Sequence, residues 1–268
     1  MFSVLMSLYK KENPEYLKAC LESLVEQTLL ADEVVIVFDG PVGHDLESLV
    51  ADFSDALKIR LLKLEKNMGL GIALQEGMKK CSYDIILRMD TDDICHRERF
   101  EKQINFLNYH PEVVLVGSDI IEFDCEGNER IKSLPEKYED IKSYSRWKNP
   151  INHMAAAFRK DEIQSVGGYK HHLFMEDYNL WLRLISSGFI IENIPEVLVY
   201  ARAGQHMVKK RRGWNYIKSE FELAKVKNNL SITSPGEGWF IFVIRSLMRV
   251  IPVGMLSILY NKDRKLVR

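Results

Sequence analysis

Short apolar runs alternate with helix-period segments from Phe2 to Asp93, and two of those runs stop at a carboxylate. Phe2 to Leu8 reads as a buried strand, and Asn13-Pro14 supplies an N-cap followed by proline at the first helical position. Leu17, Leu21 and Leu24 recur at helical spacing, whereas the β-branched run Glu33 to Phe38 is too short for a buried helix and ends at Asp39-Gly40. The pattern then repeats: a helix around His44 to Phe53, a strand Lys58 to Leu64, a helix Leu70 to Lys80, and a strand Asp84 to Met89 that ends at Asp90. Such alternation builds a parallel sheet flanked by helices, which makes the chain an α/β protein.

Beyond Asp93 the rhythm changes. A helix near Arg97 to Tyr109 precedes extended pieces at Val113 to Gly117 and Ile120 to Phe123, and Cys125-Glu126-Gly127-Asn128 reads as a turn, so hairpins are expected here and not further crossover units. Helices follow at Glu176 to Ser186 and Gly213 to Asn228. Trp239 to Tyr260 is apolar but divided by Arg245, Arg249 and Pro252. With 268 residues, 46% of them apolar, the chain has enough for one sizeable core carrying a smaller appendage, and a disordered or fibrous protein is excluded.

Asp90-Thr91-Asp92-Asp93 carries the most chemistry. Three carboxylates in four residues at the end of the strand IILRM repel one another, a cost that a divalent cation and ligand phosphates offset. Ligands of open α/β sheets bind at that edge. The competing reading is a solvated acidic turn that caps the next helix. Asp39 ends a neighbouring strand and would face the same crevice, or else it is a turn residue before Gly40. Asn67-Met68-Gly69-Leu70-Gly71 lies where amides at a helix start meet a base or phosphate. Gly69-x-Gly71, with Asp90 further along, also imitates a dinucleotide-binding fingerprint, which would make the chain an oxidoreductase. Leu74 occupies the third glycine position, and Asp92 and Asp93 have no part in a hydride-transfer site. Phosphatase chemistry of the haloacid-dehalogenase kind also uses Asp-x-Asp after a strand, but nearer the N-terminus than here.

The net charge of −1 conceals an asymmetry: from Arg202 onward there are 14 Lys and Arg against 4 Asp and Glu. That quarter suits an anionic partner, lipid headgroups or a diphosphate. Nucleic acid fits less well, because the cations adjoin an apolar run and not stacking aromatics. Cys20, Cys81, Cys95 and Cys125 form no Cys-x-x-Cys pair, and the N-terminus has no basic leader, so a cytoplasmic chain is expected.

SVLMSLY, VVIVFDG, KNMGLGIALQEG, RMDTDD, GGY and MEDYNLWLRL, in this order, resemble the inverting family 2 glycosyltransferases of the GT-A fold, a Rossmann-like mixed sheet with helices on its faces. Within that family the chain is similar to bacterial O-antigen and amylovoran-type exopolysaccharide enzymes. The resemblance implies that Asp39 contacts the uracil of a UDP-sugar and that Asn67 and Gly69 line the nucleotide pocket, with Arg88 at base or phosphate. It implies that Asp90 meets ribose or metal, that Asp92 coordinates Mn²⁺ or Mg²⁺, and that Asp93 supports them. Asp177 matches the catalytic base, at a helix start where the dipole favours its ionised form. Glu176 and Trp181 fall on the acceptor side; Arg202 and the run Lys209-Lys210-Arg211-Arg212 are candidates for gripping a diphosphate, although an aromatic at helical spacing is commonly core and a charge run commonly a solvated loop.

Two departures from the family pattern matter. Gly204 stands where many relatives carry a histidine ligand, with His206 further on, and the QxxRW element of processive synthases is missing, which favours addition of a single sugar. The expected organisation is a catalytic domain over 1–205, its nucleotide-sugar half 1–93 and acceptor half 94–205, followed by a helical extension over 206–268 that associates with the membrane. The expected reaction is inverting transfer of galactose or glucose from a UDP-sugar to lipid-diphosphate-linked GlcNAc, forming a β-1,3 linkage at the inner face of the cell membrane. A catalytically inactive membrane-bound scaffold of the same fold is the alternative. Trp239 to Tyr260 is too interrupted to span a bilayer and is expected to lie in an anionic interface, with Arg245 and Arg249 on its wet face and Phe240, Val243, Leu247 and Val250 on the other.

Overall fold

The computed structural model of the protein describes residues 1–124, 126–203 and 213–249, and the backbone of 265–266. Strands β1 (Phe2–Leu8), β2 (Glu33–Phe38), β3 (Ile59–Lys63) and β4 (Ile85–Arg88) form the parallel part of one sheet in the order β3-β2-β1-β4. Helices α1 (Pro14–Val25), α2 (His44–Asp52), α3 (Ser54–Leu57) and α4 (Leu70–Lys80) connect these strands. The α1 start follows the sequence signal, for the Asn13 side chain accepts from the Glu15 amide and Pro14 opens the helix.

Period-two alternation in β1 sends Val4, Met6 and Leu8 to one face with Leu17 and Leu21 of α1, and Leu5 to the other with Leu74 and Met78 of α4. Two cores result, one on each side of the sheet. At the crossing of α4 with β1 and β2 there is room for glycine alone, since a Cβ on Gly77 would lie 2.5 Å from the Val37 side chain.

The second half is mixed, and here two expectations are corrected. Short β5 (Ile94–Cys95) and α5 (Arg99–Tyr109) lead into β6, a single strand over Val113–Phe123 and not two pieces. β6 turns back as the expected hairpin with β7 (Glu129–Lys132), but it also pairs in parallel with β9 (Ile190–Arg202). A crossover therefore does exist beyond Asp93. It carries α6 (Tyr138–Ser145), a 3-10 turn (His153–Ala155), β8 (Ala157–Arg159), α7 (Lys160–Ser165) and α8 (Glu176–Ser186), and β8 joins the two halves by pairing antiparallel with both β4 and β6. Register shifts between Ser118 and Ile120 mark irregularities in the β6–β9 pairing, and β10 (Lys265–Leu266) adds to the far edge beside β7.

The chain ends in two packed helices, α9 (Trp214–Asn229) and α10 (Pro235–Met248). Ser234 caps α10 by accepting from the Glu237 amide. Among the described residues no helix is long and apolar enough to cross a membrane.

Candidate active site

The parallel strands deliver their acids to one edge. Asp39, directly after β2, is buried, and its two oxygens accept from the Met68 and Gly69 amides at 2.6 and 3.0 Å. Asn67 donates to the Asp39 carbonyl at 3.3 Å, and Gly40, at φ +83°, lies so close to this loop that a Cβ would stand 2.7 Å from the Asn67 nitrogen. The amides that the sequence offered to a ligand are thus bonded to Asp39, which holds the α4 start against the end of β2.

Arg88 is buried on β4, ion-pairs with Asp90 and has no partner for Nε or Nη1 among the described residues. Asp90, Asp92 and Asp93 place one carboxylate oxygen each within 4.8 Å of one another. Burial, then Asp90 and Glu12, pushes the Asp92 carboxyl up to about 7, and burial with both neighbouring acids holds Asp93 well above the usual range. One Asp93 oxygen accepts from the Arg202 amide at 2.8 Å; the other is buried without a partner among the described residues. Three self-repelling hard oxygens and an orphaned lone pair fit Mg²⁺ or Mn²⁺ better than they fit a solvated turn.

Arg202 itself, a diphosphate candidate, has its guanidinium 3.8 Å from the Tyr16 ring centroid and 4.7 Å from that of Phe123, and donates to the Asp92 carbonyl at 3.2 Å. That position ties the end of β9 to the acidic turn. Lys209, Lys210, Arg211, Arg212 and His206 lie outside the described residues.

The opposite wall comes from α8. Asp177, in its first turn, accepts from its neighbour Tyr178 at 2.7 Å and from Asn149 Nδ2 at 2.6 Å. Burial raises the Asp177 carboxyl, and these two donors work against that shift. Asn149 lies four residues beyond the end of α6 and precedes Pro150, which disfavours helical backbone at Asn149. Burial and the adjacent Asp177 raise Glu176 to about 7. The glycines of GGY have a packing role: Gly168, at φ +59°, sits on Gln75 of α4, whose side chain accepts from the Tyr169 amide at 2.7 Å, while Arg183 of α8 donates to the Val166 and Gly168 carbonyls.

A cavity of about 330 Å³ runs between the walls, lined by Arg88 and Asp90 on one side and by Asn149, Glu176 and Asp177 on the other. Trp181 does not reach it. Fully buried, it packs with Leu180 and Tyr169 and stands edge-on to His153 at 6.0 Å, so the acceptor-floor expectation gives way to a core role.

The C-terminal helices complete the cavity, in an orientation the sequence did not foretell. Arg245 and Arg249 of α10 and its flank turn inward: Arg245 makes two bonds to buried Glu220 of α9 at 2.6 and 2.9 Å, and Arg249 adds two at 3.2 and 2.6 Å. Phe240, Val243 and Leu247 face outward, 59, 51 and 57% exposed. The two stripes exist as expected, but the arginines are the buried one, because Glu220 compensates them. Val250 and the rest of the apolar run lie outside the described residues.

Residues 3–167 match the family model for glycosyl transferase family 2. The chain belongs to that family. This glycosyltransferase is 54% identical over 265 residues to the amylovoran biosynthesis glycosyltransferase AmsE of Erwinia amylovora, covering 99% of this chain and 100% of that one. It is 35% identical over 263 residues to an Escherichia coli UDP-Gal:alpha-D-GlcNAc-diphosphoundecaprenol beta-1,3-galactosyltransferase, covering 97% of this chain and 95% of the relative. Among solved structures, Staphylococcus aureus TarS 1-349 in complex with UDP-GlcNAc superposes with a TM-score of 0.69 at 18% identity, over 92% of this chain and 72% of that one. A Pyrobaculum calidifontis mannosyltransferase in complex with GDP-Man and Mn²⁺ gives 0.64 at 14%, over 97% and 79%. These likenesses fix the fold as GT-A, and the family match removes the oxidoreductase alternative. The glycine pair that suggested it, Gly69-x-Gly71, serves a loop bonded to Asp39.

Proposed function

We propose that this glycosyltransferase transfers one hexose, galactose or glucose, from a UDP-sugar to a lipid-diphosphate-linked GlcNAc with inversion, forming a β-1,3 linkage in the assembly of an O-antigen or exopolysaccharide repeat unit. The observation that carries the reading is the position of Asp177. A carboxylate held by Asn149 and by a helix-start amide shares one cavity with Asp90, the acid that follows β4. That is the relation a general base needs to an acceptor hydroxyl on one side and an activated sugar on the other.

Asp177 takes the proton of the hydroxyl as its oxygen attacks the anomeric carbon from the face opposite the departing diphosphate, and one such displacement inverts the centre. Asn149 keeps the carboxylate ionised and aimed. Asp90 and Asp92 would hold the divalent ion, with Asp93 behind them; bound there, the ion supplies Lewis-acid stabilisation of the leaving nucleoside diphosphate. The unpartnered Arg88 nitrogens suit phosphate oxygens. Asp39, Asn67 and Gly69 would form the nucleotide end of the pocket.

The donor and acceptor chemistry named for the Escherichia coli relative, together with the basic C-terminal quarter, supports a lipid-linked acceptor. Phe240, Val243 and Leu247 give the 206–268 extension an outward apolar stripe that suits peripheral contact with the inner face of the cell membrane, beside the 1–205 catalytic unit. The test is a donor screen with Mn²⁺ and a synthetic GlcNAc-diphosphate-alkyl acceptor, followed by linkage analysis. Transfer from UDP-galactose or UDP-glucose with a β-1,3 product is expected; no transfer from any UDP-hexose overturns the reading.

A further inference from the structure

We propose that Phe174 is the platform on which the acceptor's pyranose ring stacks, which makes it a residue that selects the acceptor sugar. The inference rests on the acceptor reading above and names the side chain that meets the sugar. Phe174 stands three residues before Asp177 and lines the same cavity. Two tyrosine rings, Tyr178 and Tyr216, line it as well, but they are 2 and 8% exposed, whereas Phe174 is 44% exposed. One face of the Phe174 ring is stacked on Tyr216, with centroids 4.6 Å apart and planes 5° from parallel. A buried tyrosine thus backs a ring that solvent still reaches.

The backbone is held in a costly shape at this ring. Phe174 has φ +66°, a left-handed conformation that a bulky side chain rarely adopts. It is the third residue of a turn closed by the Met175 amide, which donates to the His172 carbonyl at 2.9 Å. Earlier in the same connection, Gly167 and Gly168 meet positive φ with glycine; Phe174 meets it with an aromatic. Contacts from α9 anchor the turn. Ser219 Oγ donates to the Leu173 carbonyl, and buried His172 donates from Nε2 to the Ser219 carbonyl at 3.0 Å while its Nδ1 accepts from Asn179 at 3.0 Å. Strain of this kind persists where surrounding contacts over-determine it, and it clusters at ligand clamps. Glycine would release it, so what the position retains is the ring. An aromatic face is the negative side of a quadrupole and attracts the slightly positive C–H hydrogens on the flat side of a sugar. GlcNAc carries every ring substituent beyond its anomeric carbon equatorially, and so offers axial C–H groups on both sides of its ring.

Transfer kinetics with GlcNAc-diphosphate-alkyl test the platform. Phe174→Leu keeps an apolar side chain but loses the π face, and it should raise the acceptor KM about five- to tenfold, the size of an aromatic contact, with kcat and the UDP-sugar KM little changed. Phe174→Tyr keeps the face and should stay within about twofold of wild type. Phe174→Gly takes φ +66° without strain, which guards against misfolding of the leucine variant, and it should show the same KM rise. A fall in kcat with the acceptor KM unmoved gives Phe174 a structural role beneath α8 and overturns the platform, as does a leucine variant equal to wild type. A rise confined to the UDP-sugar assigns the ring to the donor, with the same result. Should the wild-type chain glycosylate no GlcNAc acceptor, the proposed function fails, and saturation-transfer NMR with UDP, Mn²⁺ and the methyl glycosides of GlcNAc, glucose, galactose and mannose still decides the platform. A sugar bound by the wild-type and tyrosine proteins but not by the leucine variant upholds it; no bound sugar, or one that the leucine variant binds equally, overturns it.

Discussion

The two walls of the cleft handle charge in opposite ways. On the donor wall, Asp90, Asp92 and Asp93 crowd together with one oxygen orphaned, and Arg88 has two nitrogens without partners. On the acceptor wall, Asp177 has two donors, and Glu220 ties down Arg245 and Arg249. The donor wall is built unbalanced, so that ligand charge completes it. On the proposed acceptor wall, Asp177, Arg245 and Arg249 already have partners that fix their direction. Pre-organised groups lose little on binding, whereas uncompensated ones become stable only with their ligand.

Removing the base should have the largest effect. Asp177→Asn is expected to lower kcat by at least about 10²-fold while UDP affinity in the presence of Mn²⁺ is retained; single-turnover transfer beside calorimetry reads both, and near-normal turnover would place the base elsewhere. Next comes the unbalanced wall. Asp92→Asn should relieve repulsion, leaving the fold intact, yet weaken the Mn²⁺-dependent part of UDP binding by roughly tenfold or more. Equal metal dependence in mutant and wild type would remove Asp92 as a ligand and erase the contrast.

Asn149→Ala tests the acceptor wall. A donor to the carboxylate favours its charged form, so its loss should raise the apparent pKa of the acidic limb of kcat. Activity should fall about tenfold on the acid side and recover as pH rises. An unshifted limb would show that Asn149 does not tune the base.

The smallest effect concerns Glu176, raised to about 7 from an ordinary 4.5. A raised folded-state value means that the stability this group contributes is fully present below pH 4.5 and is lost as pH rises through about 7. Glu176→Gln should therefore stabilise the ligand-free protein at pH 8 by about 1 kcal/mol, allowing for solvent screening, and by nothing measurable at pH 4. Denaturant melts at both values check it; the reverse pH order would contradict the raised value.

The donor wall was legible in the sequence because it is local. A strand of apolar β-branched residues followed by an acid places that acid at the sheet edge whatever happens elsewhere, so Asp39 and Asp90 could be positioned from their own neighbours. The acceptor wall depends on contacts between distant segments. Asn149 bonds to Asp177, and the only local sign was the proline behind it. Glu220 reaches Arg245 and Arg249 from another helix, which is why a stripe of arginines read as a wet face turned out to be the buried one. Trp181 shows the limit of motif reading: helical spacing gave its helix correctly, but burial gave it to the core. β6 appeared as two pieces because Gly117-Ser118-Asp119 interrupts the apolar pattern, and its parallel partner β9 lies beyond six intervening helical or extended elements.

That β6–β9 pairing also makes completion of the cleft depend on distant parts of the chain. The two strands are distant in sequence, and such long-range pairing is slow because the entropy of closing the loop is lost before any contact compensates it. The parallel strands and their acids need only residues up to Arg88 and the turn after it, whereas Asp93 acquires the Arg202 amide, and the arginines acquire Glu220, only near the end of synthesis. The acidic edge of the cleft is therefore encoded in the first third of the chain, while the contacts that complete it and fix the opposite arginines come from the last third.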